Sequence, residues 1–348
     1  MQNTLLIILS FPQLALSLHK ISCTRKYENK FSLRSFALSL HKISCTRQYE
    51  NKFSLRSFAL SLHLTSNSNQ ETMAITIGID VGISTTKIVG IRNGKVISPL
   101  RIKATDPVTS LYGAFGKYLY DNKIDLSDVE KVMLTGVGAA YINKPVYGLP
   151  TEKADEFQAD GLGAQYESKL QKMIVVSIGT GTSLVKCDGK DISHIGGIGI
   201  GGGTLQGLAR LLLKTDDITA IASLAMQGDI SNINLLIKDI CTHPLPGLPM
   251  GATASLFGNA KTNASREDIA LGIICMVLQT VGSATILSSL NSGIRDFVLI
   301  GNLTLLPQCK YVFPMMEKLY DAHFIIPKYS EFCTAIGAAL CNENCLKE

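Results

Sequence analysis

From residue 73 onward, short apolar runs alternate with turns rich in glycine, serine and threonine. Runs at Ile75–Ile79, Thr86–Ile91 and Val96–Ile102 have the length and β-branched content of strands, and the short polar breaks between them make them successive hairpin arms. A 3.6-residue apolar period then predicts a helix near Val108–Leu119. A fully apolar strand follows at Val132–Thr135, ending in Gly136-Val-Gly138. Beyond a loop holding Pro145 and Pro150, a second helical pattern runs from about Ala154 to Ser168. The order is β-β-β-α-β-α, and it recurs. Strand patterns at Met173–Ile178, Thr182–Cys187 and Ile192–Ile195 lead to a helix from Thr204, further helices, and strands at Phe297–Ile300 and His323–Ile326. Ile79 and Ile178 are 99 residues apart, about one small domain. The expected fold is α/β, with two duplicated lobes at 73–172 and 173–348.

The apolar stretch Ile269–Leu290 has the length of a membrane span. Glu267 and Asp268 open it, however, and Gln279, Thr280, Ser283, Thr285, Ser288 and Ser289 interrupt it, so a buried core or dimer-interface helix is expected instead. The first 72 residues follow other rules. The segment from Leu14 to Ser35 recurs almost letter for letter from Phe36 to Ser57, and a third copy starts at Phe58. Stacked repeats drift at their surfaces, whereas this unit keeps its surface letters, as a recent duplication does. Residues 1–72 therefore read as an upstream extension, disordered or a mis-assigned start, with Met73 opening the first strand. A signal peptide is disfavoured, because the apolar run Leu5–Leu16 has no basic residue before it.

Charge changes meaning once this extension is set apart. The chain carries a formal net charge of +5, but residues 1–72 hold nine Lys/Arg against three Asp/Glu, so the remainder is close to neutral. A basic surface for nucleic acid is not indicated. The nine cysteines, at 23, 45, 187, 241, 275, 309, 333, 341 and 345, form no Cys-x-x-Cys pair and have no histidine at zinc spacing. They read as small buried hydrophobes in a reducing cytoplasm.

Asp80-Val-Gly-Ile-Ser-Thr-Thr-Lys87 has the composition of a phosphate-binding turn. Asp80 at a strand end suits Mg²⁺ through water, Gly82 permits close approach, Ser84 to Thr86 carry hydroxyl donors, and Lys87 suits a phosphate. An ordinary polar hairpin turn has the same letters. Gly179-Thr-Gly-Thr-Ser183 follows an apolar strand, and Gly196 to Thr204 leads into a helix whose N terminus would face an anion. Gly197, Gly199 and Gly202 spell G-x-G-x-x-G, but the acidic residue of a dinucleotide site is missing, and no Walker sequence occurs. Glu156, in Lys153-Ala-Asp-Glu-Phe-Gln-Ala-Asp160, stands where a helix begins. It could take a proton from an attacking hydroxyl or simply serve the helix dipole, and Asp155 and Asp160 compete with it.

These runs, taken in order, resemble one family. They are DVGISTTK at 80–87, LTGVGAA at 134–140, ADEF at 154–157, SIGTGTSL at 177–184, HIGGIGIGGGTLQGL at 194–208, LPGLPMGATASLFGNA at 245–260, VLIGN at 298–302 and TAIGAAL at 334–340. The ordered set is similar to that of the type II pantothenate kinases, within the acetate-kinase, sugar-kinase, Hsp70 and actin superfamily. The resemblance implies a duplicated ribonuclease-H-like, actin-like ATPase fold of two lobes. It also implies ATP-dependent phosphorylation of pantothenate to 4'-phosphopantothenate, the first step towards coenzyme A. On that footing Asp80, Val81, Gly82, Ile83, Ser84, Thr85, Thr86 and Lys87 form the phosphate loop, with Asp80 holding Mg²⁺ through water. Thr180, Gly181, Gly202, Gly203, Thr204, Leu205, Gln206 and Asn302 contact ATP. Glu156 is the catalytic base, Ser183 and His194 line the acceptor pocket, and Pro246 to Gly258 shapes that pocket or a dimer edge. The implied partners are pantothenate or a related pantoyl compound, coenzyme A or an acyl-CoA as regulator, and a second copy of the chain, in the cytoplasm without nucleic acid or membrane.

Many family members carry Arg where this chain has His194. Arg can hold a carboxylate bidentately and neutral His cannot, so pantetheine, which lacks that carboxylate, is a competing acceptor. Two further classes stay in view. An activator of a radical dehydratase would need paired cysteines for an iron–sulfur cluster, which the chain lacks. A non-catalytic sensor of ATP or acyl-CoA would bind without turnover.

Overall fold

The computed structural model describes residues 74–104, 106–243 and 246–341, all within one compact unit, Gln70–Glu348. The expectations for the repeats in 1–72, for Met73 and Leu245, and for Cys23, Cys45 and Cys345 lie outside the described residues.

Three hairpin arms open the unit: β1 (Ile75–Val81), β2 (Thr85–Arg92) and β3 (Lys95–Lys103). Helix α1 (Pro107–Asn122) follows, then β4 (Val129–Thr135) and β5 (Thr151–Lys153), and the strands assemble in the order β3-β2-β1-β4-β5. The β1–β2 and β2–β3 pairs are antiparallel, and the β1–β4 and β4–β5 pairs are parallel. Local chemistry fixes the ends of α1. Asp106 accepts a hydrogen bond from the Thr109 amide at 2.7 Å, Pro107 occupies the first turn, and Lys123 closes the helix in a left-handed conformation. The helix lays Leu111, Ala114, Phe115 and Tyr118 against Ile77, Ile79 and Leu134. Each such buried side chain contributes about 1.5–3 kcal/mol. The Tyr118 hydroxyl accepts from the Gly90 amide at 2.6 Å and donates to the Ile97 carbonyl at 3.0 Å, at a break in the β2–β3 register. Burial pushes that phenol up to about 12.

After α2 (Glu156–Ser168) the plan repeats with β6 (Lys172–Ile178), β7 (Thr182–Asp188) and β8 (Asp191–Ile198). Helices α3 (Gly202–Leu213) and α4 (Ile218–Ala225) come next, followed by a small pair, β9 (Leu235–Leu236) with β10 (Thr253–Ser255). The long α5 (Arg266–Ser289), β11 (Asp296–Ile300), α6 (Cys309–Tyr320), β12 (His323–Ile325) and α7 (Cys333–Leu340) complete the described fold. The second sheet runs β12-β11-β6-β7-β8. Read from β8, its order and its parallel and antiparallel pairs match the first sheet, so the duplicated two-lobed α/β fold is present. Helix α5 is long and apolar enough to cross a membrane, yet it packs in the second core with Leu205, Ile221, Phe297 and Phe313, as expected of a core helix. Ser265 and Asp268 cap its start reciprocally.

Two features escaped the sequence reading. The stretch read as a loop before Ala154 holds β5, and α2 itself starts two residues after Ala154. The helices between the sheets are also exchanged. Helix α2 follows the first sheet but packs Ala164 against Val175, Val185 and Cys187 of the second. Helix α7 follows the second sheet but lays Ala335, Ile336 and Ala339 on Val89 and Ile91 of the first. The two cross on glycine. A Cβ at Gly163 would meet the Cys333 carbonyl, and one at Gly337 would meet the Ala159 carbonyl. The site is built around this crossing.

Candidate functional site

Side chains alternate along β1. Ile77, Ile79 and Val81 enter the α1 core, while Gly78 and Asp80 face α7. Lys87 is the cross-strand partner of Asp80, and its Nζ lies 2.9 Å from Asp80 Oδ2 with both groups buried. Burial alone would lower the Lys87 pKa, but the charge and hydrogen bond of Asp80 more than reverse this and leave it raised. Lys87, expected to reach a phosphate, is therefore engaged with Asp80. The turn between the strands closes by Gly82 N–H to the Thr85 carbonyl at 3.1 Å and leaves Ile83 and Ser84 exposed at its tip. Behind Asp80 stands Gly136, whose φ of +83° and place 2.5 Å from Asp80 Oδ1, measured from an added Cβ, both demand glycine.

Three residues expected at the nucleotide have buried side chains. Val81 and Leu205 are fully buried in the first and second cores, and Thr86 shares the α1-facing side of β2 with Ile88. Strand alternation places them there, so only their backbone can face a ligand. The second glycine-rich run leads into α3 and is partly strand. Its first two residues, Gly196 and Gly197, belong to β8. The Gly202 amide donates to the Gly179 carbonyl at 2.8 Å, and the Gly203 amide donates to the Thr180 carbonyl at 2.9 Å. The N terminus of α3 is thus tied to the β6–β7 turn, and those two amides are engaged within the protein. Thr204 Oγ1 donates to the Gly199 carbonyl at 3.0 Å, and Gln206 Nε2 donates to the Asp216 carbonyl at 3.1 Å. Thr180 is exposed at the tip of the same turn, with Gly181 beside it. Asn302 follows β11, and its Nδ2 donates to Thr85 Oγ1 at 3.2 Å, joining the second lobe to the first turn. Its buried Oδ1 has no protein partner.

Three acids open α2, and the structure separates them. Asp155 is the N-cap, accepting from the amides of Phe157 at 2.9 Å and Gln158 at 3.1 Å. Glu156 is the first helical residue and is half-buried. Asp160, one turn on, is 1 % exposed and accepts a 2.6 Å hydrogen bond from the Thr334 hydroxyl of α7. Burial first, then the charges of Glu156 and Asp80, push its carboxyl up to about 7 against the pull of Thr334. Ser177 lies alongside, but Asp160 Oδ2 remains buried without a hydrogen bond of good geometry.

The second sheet carries its α2-facing surface out to these acids. Ser177 of β6 pairs with Ser183 of β7, and Ser183 pairs with Gly197 of β8, where no side chain covers it. His194, one step along β8, stacks on Phe157 of α2 with ring centres 4.1 Å apart and planes 14° from parallel. Gln158 Nε2 ties α2 to the Ile192 carbonyl at 2.8 Å. Glu156, Ser183 and His194 are thereby brought to one side of the second sheet. The segment 253–258 is not with them, since it packs on α5 against the sheet's other face. The sequence reading missed Thr135, Ser177 and Thr334 as site-facing groups and took Asp160 only as a rival base. Its one available signal was an acid set among Ala159, Gly161, Gly163 and Ala164 on a close-packed helix face.

A divalent cation can be tested against this surface. Mg²⁺ takes oxygen ligands, usually one or two carboxylates completed by water and phosphate. Thr135 is the parallel-strand partner of Asp80, and its buried Oγ1, like Asp160 Oδ2, has no protein partner. These oxygens suit a hard cation that arrives with phosphates, and Asp80 could hold it through water, although Lys87 Nζ already occupies one face of that carboxylate. No group of three His, Cys, Asp or Glu side chains able to cage a metal occurs among the described residues.

Known proteins resemble this chain in sequence and in fold. The Fumble family matches residues 139–306. A type II pantothenate kinase of Staphylococcus epidermidis is 30% identical over 217 residues, which is 59% of this chain and 77% of that protein. One from Staphylococcus aureus is 28% identical over 227 residues, 62% and 84% of the two chains. Among solved structures, the activator of the 2-hydroxyisocaproyl-CoA dehydratase from Clostridium difficile with bound ADPNP has a TM-score of 0.57 at 20% identity, over 76% of this chain and 93% of that one. A ROK family glucokinase from Streptomyces griseus in complex with glucose and AMPPNP has a TM-score of 0.50 at 12% identity, over 76% and 98%. At such identities the structures speak for the actin-like ATPase fold alone. With 30% identity across more than three-quarters of a relative's length, this chain belongs to the type II pantothenate kinase family.

Proposed function

We propose that this protein transfers the γ-phosphoryl group of ATP to the primary hydroxyl of pantothenate, giving 4'-phosphopantothenate and ADP. The observation that carries the reading is the division of labour at the start of α2. Asp155 caps the helix and Asp160 is buried against Thr334, while Glu156 stands half-buried as the first helical residue, beside Phe157, which stacks on His194. The acceptor hydroxyl attacks the γ-phosphorus while its proton passes to the Glu156 carboxylate, and the bond to the β–γ bridging oxygen breaks with its electron pair leaving on ADP. Asp80 would hold Mg²⁺ through water, and the bound ion supplies neutralisation of phosphate charge. The Asn302–Thr85 hydrogen bond and the turns at 82–85 and 179–181 hold the two lobes in register around the nucleotide.

A specific feature favours a second acceptor. On the α2-facing side of β6, β7 and β8 stand Met173, Val175, Ser177, Ser183, Val185, Cys187, Ile192 and His194, and none is Lys or Arg. A pantoyl compound ending in an uncharged amide, such as pantetheine, needs no fixed cation there. The test offers pantothenate and pantetheine with Mg·ATP to the full chain, with Glu156→Gln as control. A general base is worth about 10²–10⁴ in rate, so the variant should lose at least about 100-fold. A loss below about tenfold refutes Glu156 as base, turnover of pantetheine alone moves the function to that acceptor, and no turnover of either overturns the kinase reading.

A further inference from the structure

Helix α2 is fastened to β8 and to the turn before it, and the fastenings can be followed back along the helix towards its first residue. Gln165 Nε2 donates to the Gly189 carbonyl at 2.6 Å, in the turn between β7 and β8. One turn earlier, Gly161 lies so close to β8 that an added Cβ would meet the Ile192 side chain. Gln158 Nε2 donates to the Ile192 carbonyl at 2.8 Å, and Phe157 stacks on His194. The stack is the last of these contacts before Glu156. It also stands where β8 changes: the β7–β8 register breaks between His194 and Gly196, and Gly196 and Gly197 carry no side chains. Phe157 thus packs on the second core and meets, at His194, a flat ring 4.1 Å away and 14° from parallel. A pair of flat rings fixes an orientation as well as burying area.

We propose that His194 is a positioning residue: stacked on Phe157, it seats the first turn of α2 and thereby sets where the Glu156 carboxylate stands against the acceptor. This role rests on the kinase reading for the reaction it serves. The residues on both sides of Glu156 are held. Asp155 before it accepts from the amides of Phe157 and Gln158, and the Phe157 ring after it lies against His194. A proton acceptor has to stand within hydrogen-bond reach of the attacking hydroxyl, and a displacement of about 1 Å can cost on the order of 10²-fold in rate. Stacking uses the face of the imidazole and neither of its nitrogens. A ligand for the acceptor would instead use a nitrogen at the ring edge, so substitution separates the two roles.

The experiment compares the full wild-type chain with His194→Ala, His194→Phe, Phe157→Leu and the double variant Phe157→Leu/His194→Ala by two readouts. The first is steady-state kinetics with Mg·ATP and each pantoyl acceptor. His194→Ala and Phe157→Leu should each lower kcat about 3- to 10-fold, the worth of one stacked pair, with KM for the acceptor changing less than about twofold. The double variant should be no slower than the slower single one, because both remove the same contact. His194→Phe keeps a flat ring without nitrogens and should recover most of the loss. If His194→Phe is as poor as His194→Ala and KM for the acceptor rises at least about tenfold in both, the imidazole is an acceptor ligand and the proposal is overturned. The second readout needs no turnover: amide hydrogen exchange followed by NMR. The Phe157 and Gln158 amides, bonded to Asp155, should exchange about 3- to 10-fold faster in His194→Ala and Phe157→Leu but not in His194→Phe, while amides from 161 to 168 stay unchanged. Unchanged exchange at 157 and 158, or a loosening of all of α2, overturns the seating of the first turn. If no pantoyl acceptor is phosphorylated while those two amides still loosen, the kinase reading fails and the seating stands.

Discussion

Replacing Lys87 by methionine removes one half of a buried ion pair while keeping the length of the side chain. Nζ and Oδ2 are 2.9 Å apart, and each side chain retains only 10% of its exposure. At that burial the cost is dominated by the carboxylate left behind. Breaking a buried pair from one side typically costs about 3–5 kcal/mol. In a unit of this size each kcal/mol corresponds to about 2–4 °C, so Lys87→Met should lower Tm by about 6–20 °C. Asp80→Asn/Lys87→Met removes the stranded charge and should recover part of that loss, giving a clear coupling in a double-mutant cycle. The sign with pH follows from Lys87. Its folded pKa lies above its ordinary value of 10.5, so the wild-type advantage over the variant is complete below that pH and is lost as pH rises through the folded value. Thermal unfolding followed by far-UV circular dichroism from pH 6 to 11 measures both. A Tm within about 3 °C of wild type, with additive single and double effects, would show that Lys87 is not paired in solution and that the phosphate-contacting role read from the sequence is open to it after all.

Gly337→Val should destabilise by at least about 3 kcal/mol in urea unfolding, because its Cβ would enter the Ala159 carbonyl and neither backbone can retreat; Gly113→Ala, on an exposed face of α1 with open space around it, should instead be neutral or stabilising by about 0.5–1 kcal/mol. Asn302→Ala removes the link to Thr85 and should raise KM for ATP about 2- to 10-fold, the worth of one hydrogen bond, in steady-state assays at saturating acceptor; an unchanged KM separates the lobe contact from nucleotide binding. Asp160 binds its proton more tightly when folded, up to about 7 against an ordinary 3.8, so its contribution to stability falls as pH rises between those values. Asp160→Asn should therefore be more stable than wild type at pH 8, by a margin on the order of 4 kcal/mol at most, and should show no such gain at pH 4 in parallel denaturant titrations.

Strand and helix assignment succeeded where a period was uninterrupted. The hairpin arms of both sheets, α1 and the core helix α5 follow directly from apolar spacing, because one face of each must be buried whatever the neighbours are. The paired glycine turns and their 99-residue offset were enough to expect duplication, and the two sheets have the same strand order. Strand β5 was missed because Thr151–Lys153 is too short and polar to show a period, and it is a strand only because β4 offers an unpaired edge.

The site divides along the same line. Composition marked Asp80 to Lys87 and Gly179 to Ser183 as candidate phosphate turns and Asp155, Glu156 and Asp160 as competing acids, and only the family resemblance chose Glu156 among them. What each of these groups does depended on contacts between residues far apart in the chain. Lys87 meets Asp80 across a strand pair, the amides of Gly202 and Gly203 are taken by the β6–β7 turn, Thr85 meets Asn302 across 217 residues, and Asp160 meets Thr334 across 174. A hydrogen bond or a desolvated charge belongs to a pair and to the surface that covers it, and sequence spacing is silent about both until α2 and α7 cross.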